Sequence, residues 1–172
     1  MMKMYITGST GSGKTTVAQE LSRQFSVPTF KIDDIVWDNS KGYTGKKFPD
    51  EVRDGKIAEM MVNQSWIAEG IYFNDWLLPV LRAVDFVLIL MPPTFVRDYR
   101  LVKRCIQSRF QTGRQKENLV LLYKNLKWGH AFERNKMPGL IELLDREDIQ
   151  YCLYYGNHAV TYVSEELVLH LS

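Results

Sequence analysis

Gly8-Ser9-Thr10-Gly11-Ser12-Gly13-Lys14-Thr15 is the stretch that decides how this chain folds. It matches the pattern G-x-x-x-x-G-K-[ST] at every fixed position. Before it, Lys3 to Thr7 reads as a short buried strand; after it, Val17, Ala18, Leu21 and Phe25 recur at helical spacing from Lys14 onward. Strand, glycine loop and helix, in that order, build a phosphate-binding turn. Gly8, Gly11 and Gly13 let the main chain take conformations that a Cβ would forbid and approach an anion closely. The amides from Gly11 to Thr15 then point inward as donors, and the positive end of the following helix adds to their field. Lys14 is expected to bridge the β- and γ-phosphates, Thr15 to place its hydroxyl on Mg²⁺, and Thr16 to reach an α-phosphate. The expected cofactors are therefore ATP and Mg²⁺, held by residues 8 to 16.

Outward from the loop, the chain alternates strand and helix. Strands are expected at Thr29 to Ile32, Trp66 to Ala68, Val84 to Leu90 and Ile149 to Tyr154. Helices are expected over Pro49 to Gln64, from Pro92 or Pro93 toward Gly113, over Glu117 to Phe132, over Gly139 to Leu144, and from about Val160 to Leu171. Lys41 to Pro49, with Gly42, Gly45 and Pro49, reads as a loop. Near-continuous apolar strands separated by helices imply a parallel sheet covered on both faces. The expected fold is a three-layer α/β domain with a helical excursion between the fourth and fifth strands.

The composition is ordinary: 172 residues, 45% hydrophobic, 24% charged, formal net charge +2. That balance gives no strong push toward nucleic acid or a membrane. The longest apolar run, Phe86 to Met91, has strand length, and no leader-like stretch opens the sequence. Cys105 and Cys152 lack metal-ligand spacing and read as free thiols of a reducing cytoplasm. Locally, basic residues crowd between Arg97 and Lys136, where Asp98, Glu117 and Glu133 are the acids. Such a run suits a phosphate-rich ligand or nucleic acid, or it is a solvated helical face.

Phosphoryl transfer needs metal, charge neutralisation and a group that orients the nucleophile. Asp33 and Asp34 follow the second strand at its carboxyl end, where open α/β sheets bind ligands. Either is a candidate base or a helix N-cap. Glu69 follows the third strand and fits an acid that orients Mg²⁺, or a surface acid at a turn. Arg100 and Arg104 share a helix face and suit a lid that clamps the transferred group; exposed helix surface is the alternative. Arg53 and Arg82 are lesser candidates for an acceptor phosphate, and Trp37 for the wall of an acceptor pocket. His130, His158 and His170 show no metal-ligand spacing.

In order, the P-loop, Ile32-Asp33-Asp34-Ile35-Val36-Trp37, Trp66-Ile67-Ala68-Glu69-Gly70-Ile71-Tyr72, Arg82-Ala83-Val84-Asp85, the arginine-rich helix and Leu126-Lys127-Trp128 resemble the bacterial DNA topology modulation proteins, within the adenylate-kinase-like P-loop kinases. The resemblance runs to about Leu144. It implies a five-stranded sheet of order 2-3-1-4-5, an acceptor-binding region at 37–65 and a lid at 104–130, within the one P-loop kinase-like domain over 1–172 that the chain length suggests. It carries Gly8 to Thr15 over as the ATP site and points to Asp33, Glu69, Arg100 and Arg104 as functional positions. The chain departs from that group's pattern at Lys31, Glu69, Ile71 and around Met91. The expectation is an ATP-dependent kinase for a small acceptor such as a nucleoside or nucleotide. The rival is a nucleotide-dependent regulator that affects DNA topology, with nucleic acid as partner.

Overall fold

A computed structural model describes residues 1–38, 45–108, 119–156 and 159–163. The strand that leads into the glycine loop lies at the centre of the sheet. β1 (Lys3–Gly8) is flanked by β3 (Trp66–Glu69) and β4 (Phe86–Leu90), with β2 (Thr29–Lys31) outside β3 and β5 (Tyr151–Tyr154) outside β4. All four pairings are parallel, as the apolar strands implied, and the order is β2-β3-β1-β4-β5, as the resemblance implied. Parallel neighbours require crossovers, and the helices that make them cover both faces.

Alternation along each strand divides the apolar residues between two cores. Tyr5, Trp66, Ala68, Val87 and Ile89 face one side. There they meet Ile32 and Ile35 of α2 (Ile32–Val36), Ile57 and Met60 of α3 (Asp50–Met61), Val80 and Leu81 of α4 (Leu78–Ala83), and Leu140 and Leu144 of α7 (Met137–Arg146). Met4, Ile6, Ile67, Leu88 and Leu90 face the other side, against Ala18 and Leu21 of α1 (Lys14–Phe25) and Ala159 and Val163. The period of two in the strands thus supplies both layers of helix contact. α5 (Thr94–Ser108) and α6 (Leu119–Asn135) form the excursion between β4 and β5.

Several expectations are corrected. Glu69 is the last residue of β3 and is buried, rather than a turn residue beyond it. Ile32 leaves the second strand and starts α2, so Asp33 and Asp34 lie in its first turn, with Lys31 at the N-cap position. β4 starts at Phe86 because Asp85 turns the chain and accepts the Lys3 amide at 2.7 Å. β5 starts at Tyr151 because Asp148, at φ 52, ends α7 and directs the Ile149 amide back to Leu144. A 3₁₀ turn (Asp75–Leu77) and α4 were not foreseen; six residues with Pro79 at the start are too few to display a helical period. The expected extension of α5 toward Gly113, Lys41 to Thr44 of the loop, and the end of the last helix lie outside the described residues, although 159–163 are helical.

Candidate active site at the phosphate loop

The loop leaves β1 with Gly8 at φ 145, where an added Cβ would stand 2.4 Å from the Leu90 carbonyl oxygen. No side chain fits against that neighbouring strand, so glycine is a steric requirement there. Gly13 closes the loop at φ 101. The first bond of the α1 ladder runs from the Val17 amide to the Gly13 carbonyl at 3.0 Å. The amides of Lys14, Thr15 and Thr16 therefore precede the ladder, as the leading donors of any helix do. Ser12 adds a buried hydroxyl with no hydrogen-bond partner among the described residues. This concave set of donors at the positive end of a twelve-residue helix suits a polyphosphate.

Lys14 folds over the loop and donates to the carbonyls of Gly8 at 2.9 Å and Ser9 at 3.0 Å. Burial lowers its ammonium to about 8, against the opposing pull of Glu69 and Asp33, while Arg104 lowers it further. One consequence is measurable. Above that value the ligand-free loop loses its positive charge, and a bound diphosphate restores it. ADP affinity is therefore expected to fall between about pH 7.5 and 9.5, a range in which ADP itself stays fully ionised, with net proton uptake on binding. Calorimetry in two buffers of different ionisation heat reads both effects; a flat profile without proton uptake would contradict the assignment.

Thr15 donates its hydroxyl to Glu69 Oε1 at 2.6 Å. This joins the loop to the carboxyl end of β3, where Glu69 stands level with Ile6 and Lys31. No group of three metal-ligating acids, histidines or cysteines occurs among the described residues. One hydroxyl and one acid nevertheless fit Mg²⁺, which keeps several waters and takes its other oxygens from phosphates. Glu69→Gln is expected to raise the Mg²⁺ concentration needed for ATP binding about ten- to a hundredfold. A magnesium titration of ATP-induced stabilisation would show it, and an unchanged midpoint would remove Glu69 from this role.

Arg100 Nη1 donates to the Ser12 carbonyl at 3.0 Å, and the charge of Arg104 reaches Lys14. Both lid candidates thus converge on the loop. Beside Arg100, a cavity of about 250 Å³ is lined by Gly13, Thr16, Val17, Leu90, Gly156, Ala159 and Val160. Its walls are mixed apolar and polar, and it opens next to the start of α1. Thr10 of the loop is half-buried.

Asp33, whose charge reaches Lys14, accepts a hydrogen bond at Oδ1 from Tyr72 Oη at 2.7 Å. Tyr72 Oη in turn accepts one from Trp37 Nε1 at 2.9 Å. The Tyr72 backbone is fixed by Tyr5, whose hydroxyl donates to its carbonyl at 2.9 Å and accepts from its amide at 3.1 Å. Trp76 packs on Tyr72 with ring centroids 5.5 Å apart, and Arg53 lies 4.7 Å above the Trp76 ring while paired with Asp50 and Asp54. Tyr72 was not foreseen as a site residue. It follows the third strand by three positions, as an aromatic in an apparent turn, and periodicity gives no signal there. Arg82 does not join this cleft: it pairs with Glu147 at 2.6 Å. His130 pairs with Asp98 at 2.9 Å; His158 and His170, and Arg109 and Arg114 of the basic run between Arg97 and Lys136, lie outside the described residues.

Sheet order and loop geometry together define a P-loop NTPase fold. No protein-family model matches the chain, and no curated protein matches it in sequence. Solved structures do match. A shikimate kinase from Bacteroides thetaiotaomicron aligns with a TM-score of 0.56 at 16% identity, covering 99% of this chain and 97% of that one. A shikimate kinase from Acinetobacter baumannii, in complex with shikimate, aligns with a TM-score of 0.57 at 17% identity, covering 98% and 90%. At such identities the likeness establishes the fold. No helix among the described residues is long and apolar enough to cross a membrane.

Proposed function

We propose that this chain is an ATP-dependent kinase that transfers the γ-phosphoryl group to a hydroxyl of a small polar acceptor. The observation that carries the reading is the convergence of Lys14, Thr15–Glu69 and Arg100 on one loop, with a Tyr72-held Asp33 whose charge reaches Lys14. The diphosphate would lie in the loop amides, with the base in the cavity beside Arg100. Mg²⁺, held through Thr15 and Glu69, would neutralise charge on the β- and γ-oxygens. Lys14 and the α5 arginines, Arg100 and Arg104, would stabilise charge on the transferred group. The acceptor oxygen attacks the γ-phosphorus, its proton passes to Asp33, and the bond to the β-bridging oxygen breaks to leave ADP. Residues 37–65, with Tyr72 and Trp76, would form the acceptor wall, and 104–130 the lid.

A cyclic polyol of the shikimate type is the first acceptor to try, since the solved neighbours are shikimate kinases. Nucleosides and nucleotides come next, on the resemblance to the DNA topology modulation proteins. Within the basic segment Arg97 is buried among acids and Arg100 is turned onto the loop, while Lys103, Arg104, Lys124, Lys127, Arg134 and Lys136 are exposed, so α5 and α6 keep a basic surface that suits the second reading, a nucleotide-dependent regulator that meets nucleic acid. ATP consumption should be followed with shikimate, related hydroxy acids, nucleosides, nucleoside monophosphates and small sugars. Turnover no greater than that of Lys14→Ala for every acceptor would overturn the proposal.

A further inference from the structure

Behind the loop lies a charge network that the proposed chemistry does not use. Arg97 of α5 is fully buried. Its Nη1 donates to Ser9 Oγ at 3.2 Å and to Glu133 Oε1 of α6, and its Nε and Nη2 both lie 3.2 Å from Asp98 Oδ1. Ser9 Oγ donates in turn to Glu133 Oε1 at 2.7 Å. The guanidinium faces Gly129 of α6, while its Cγ packs on Gly11, where an added Cβ would stand 2.9 Å away. Ser9 and Gly11, two residues of the loop's first limb, are thus held from the α5–α6 hairpin rather than from the sheet.

A glycine-rich limb has more backbone freedom to lose than any other segment of its length. An anion cradle made of main-chain amides binds well only if that freedom is spent before the ligand arrives. Desolvating a guanidinium and a carboxylate is costly, and the pair is tolerable because each makes several hydrogen bonds. The network places that cost against the loop.

We propose that Arg97 and Glu133 are positioning residues that pre-order the phosphate loop through the Ser9 hydroxyl and tie its first limb to the α5–α6 hairpin. The proposal rests on the reading of the loop as a polyphosphate site, and its test separates the two. ADP affinity would be measured by calorimetry on Ser9→Ala, Ser9→Thr, Glu133→Gln and the Ser9→Ala/Glu133→Gln double variant. Hydrogen exchange of the amides from Gly11 to Thr15 would be followed without nucleotide.

Ser9→Ala and Glu133→Gln are each expected to weaken ADP binding roughly three- to tenfold, the range of one hydrogen bond. The double variant should bind no more weakly than the weaker single, because both act through one contact. Ser9→Thr should restore affinity, and in Ser9→Ala the loop amides should exchange faster while those of β1 do not. Additive losses in the double variant, or unchanged affinity and unchanged loop exchange in Ser9→Ala, would overturn the proposal. Should Glu133→Gln fail to fold, the Ser9 pair decides alone. If the unmodified chain binds no ADP, the reading of the site fails, and the exchange comparison still decides whether the tie orders the loop.

Discussion

Lys14→Ala is expected to lower phosphoryl transfer about a thousandfold and to remove most of the stabilisation that ATP·Mg²⁺ gives the protein. The first effect follows from charge. Lys14 is the cation folded directly over the loop, and a preorganised charge in a partly dry site is worth far more than in water. The second can be sized. At a hundred times its Kd, a ligand stabilises by about 2.7 kcal/mol, which for a domain of this size raises Tm by roughly 5–11 °C. Losing a charged hydrogen-bond donor weakens binding by about 1.5–3 kcal/mol, so the same nucleotide concentration would stabilise the variant by only about 0.3–1.3 kcal/mol, a shift of roughly 0.5–5 °C.

The ligand-free variant gives a third, opposite signal. Burial lowers the Lys14 ammonium to about 8, below its ordinary 10.5. Below the folded-state value both states carry the proton, and folding bears the full cost of burying the charge. That cost is relieved only as pH rises from about 8 toward 10.5, where the unfolded chain holds more protons. Near pH 7 alanine avoids it, so ligand-free Lys14→Ala is expected to melt at the same temperature as the unmodified chain or higher. Differential scanning calorimetry with and without ATP·Mg²⁺ reads all of this. A variant that melts lower on its own but keeps its nucleotide shift would mark Lys14 as a structural residue.

The phosphate loop was legible because its demands are local. Gly8 must avoid the Leu90 carbonyl, Gly13 must take a positive φ, and strand and helix must flank them, so spacing carries the information. Sheet order was legible through resemblance together with the apolar runs of β1 and β4. Position at a strand's carboxyl end drew Asp33 and Glu69 toward the loop, although the sequence left Glu69 open as a surface acid. Its burial and its bond to Thr15 depend on the parallel register of β1 and β3, which no local pattern encodes. The Arg97–Glu133–Ser9 network was illegible for the same reason: its members are 36 to 124 residues apart in the chain. In composition Arg97 looked like one more basic residue of a solvated face. α4 escaped because Leu78–Ala83 is shorter than two helical turns.

Asp33→Asn decides what kind of acceptor this site serves. A hydroxyl must give up its proton as it attacks, and a positioned base contributes about a hundred- to ten-thousandfold. Asparagine keeps the shape of Asp33 and can still accept from Tyr72, so it removes the base with little change to the wall. With the right acceptor, kcat is expected to fall about a thousandfold while KM for ATP stays within about twofold, because the loop amides, Lys14 and Arg100 proposed to hold the nucleotide are unchanged. Tyr72→Phe should act more weakly, lowering kcat about tenfold, since it removes one donor that orients the carboxylate and leaves the carboxylate itself. Trp37→Phe would then be milder still, because its indole N–H reaches the Asp33 carboxylate through Tyr72 and the backbone bond from Trp37 to Asp33 is kept. That graded order distinguishes a proton acceptor held by a hydrogen-bond chain from a pocket lined by aromatics, in which the tryptophan would matter as much as the acid. An Asp33→Asn enzyme within about threefold of the unmodified chain would show that no proton has to be removed. The acceptor would then be a group already ionised, such as a phosphate, and the hydroxyl reading would fall while the nucleotide site stood.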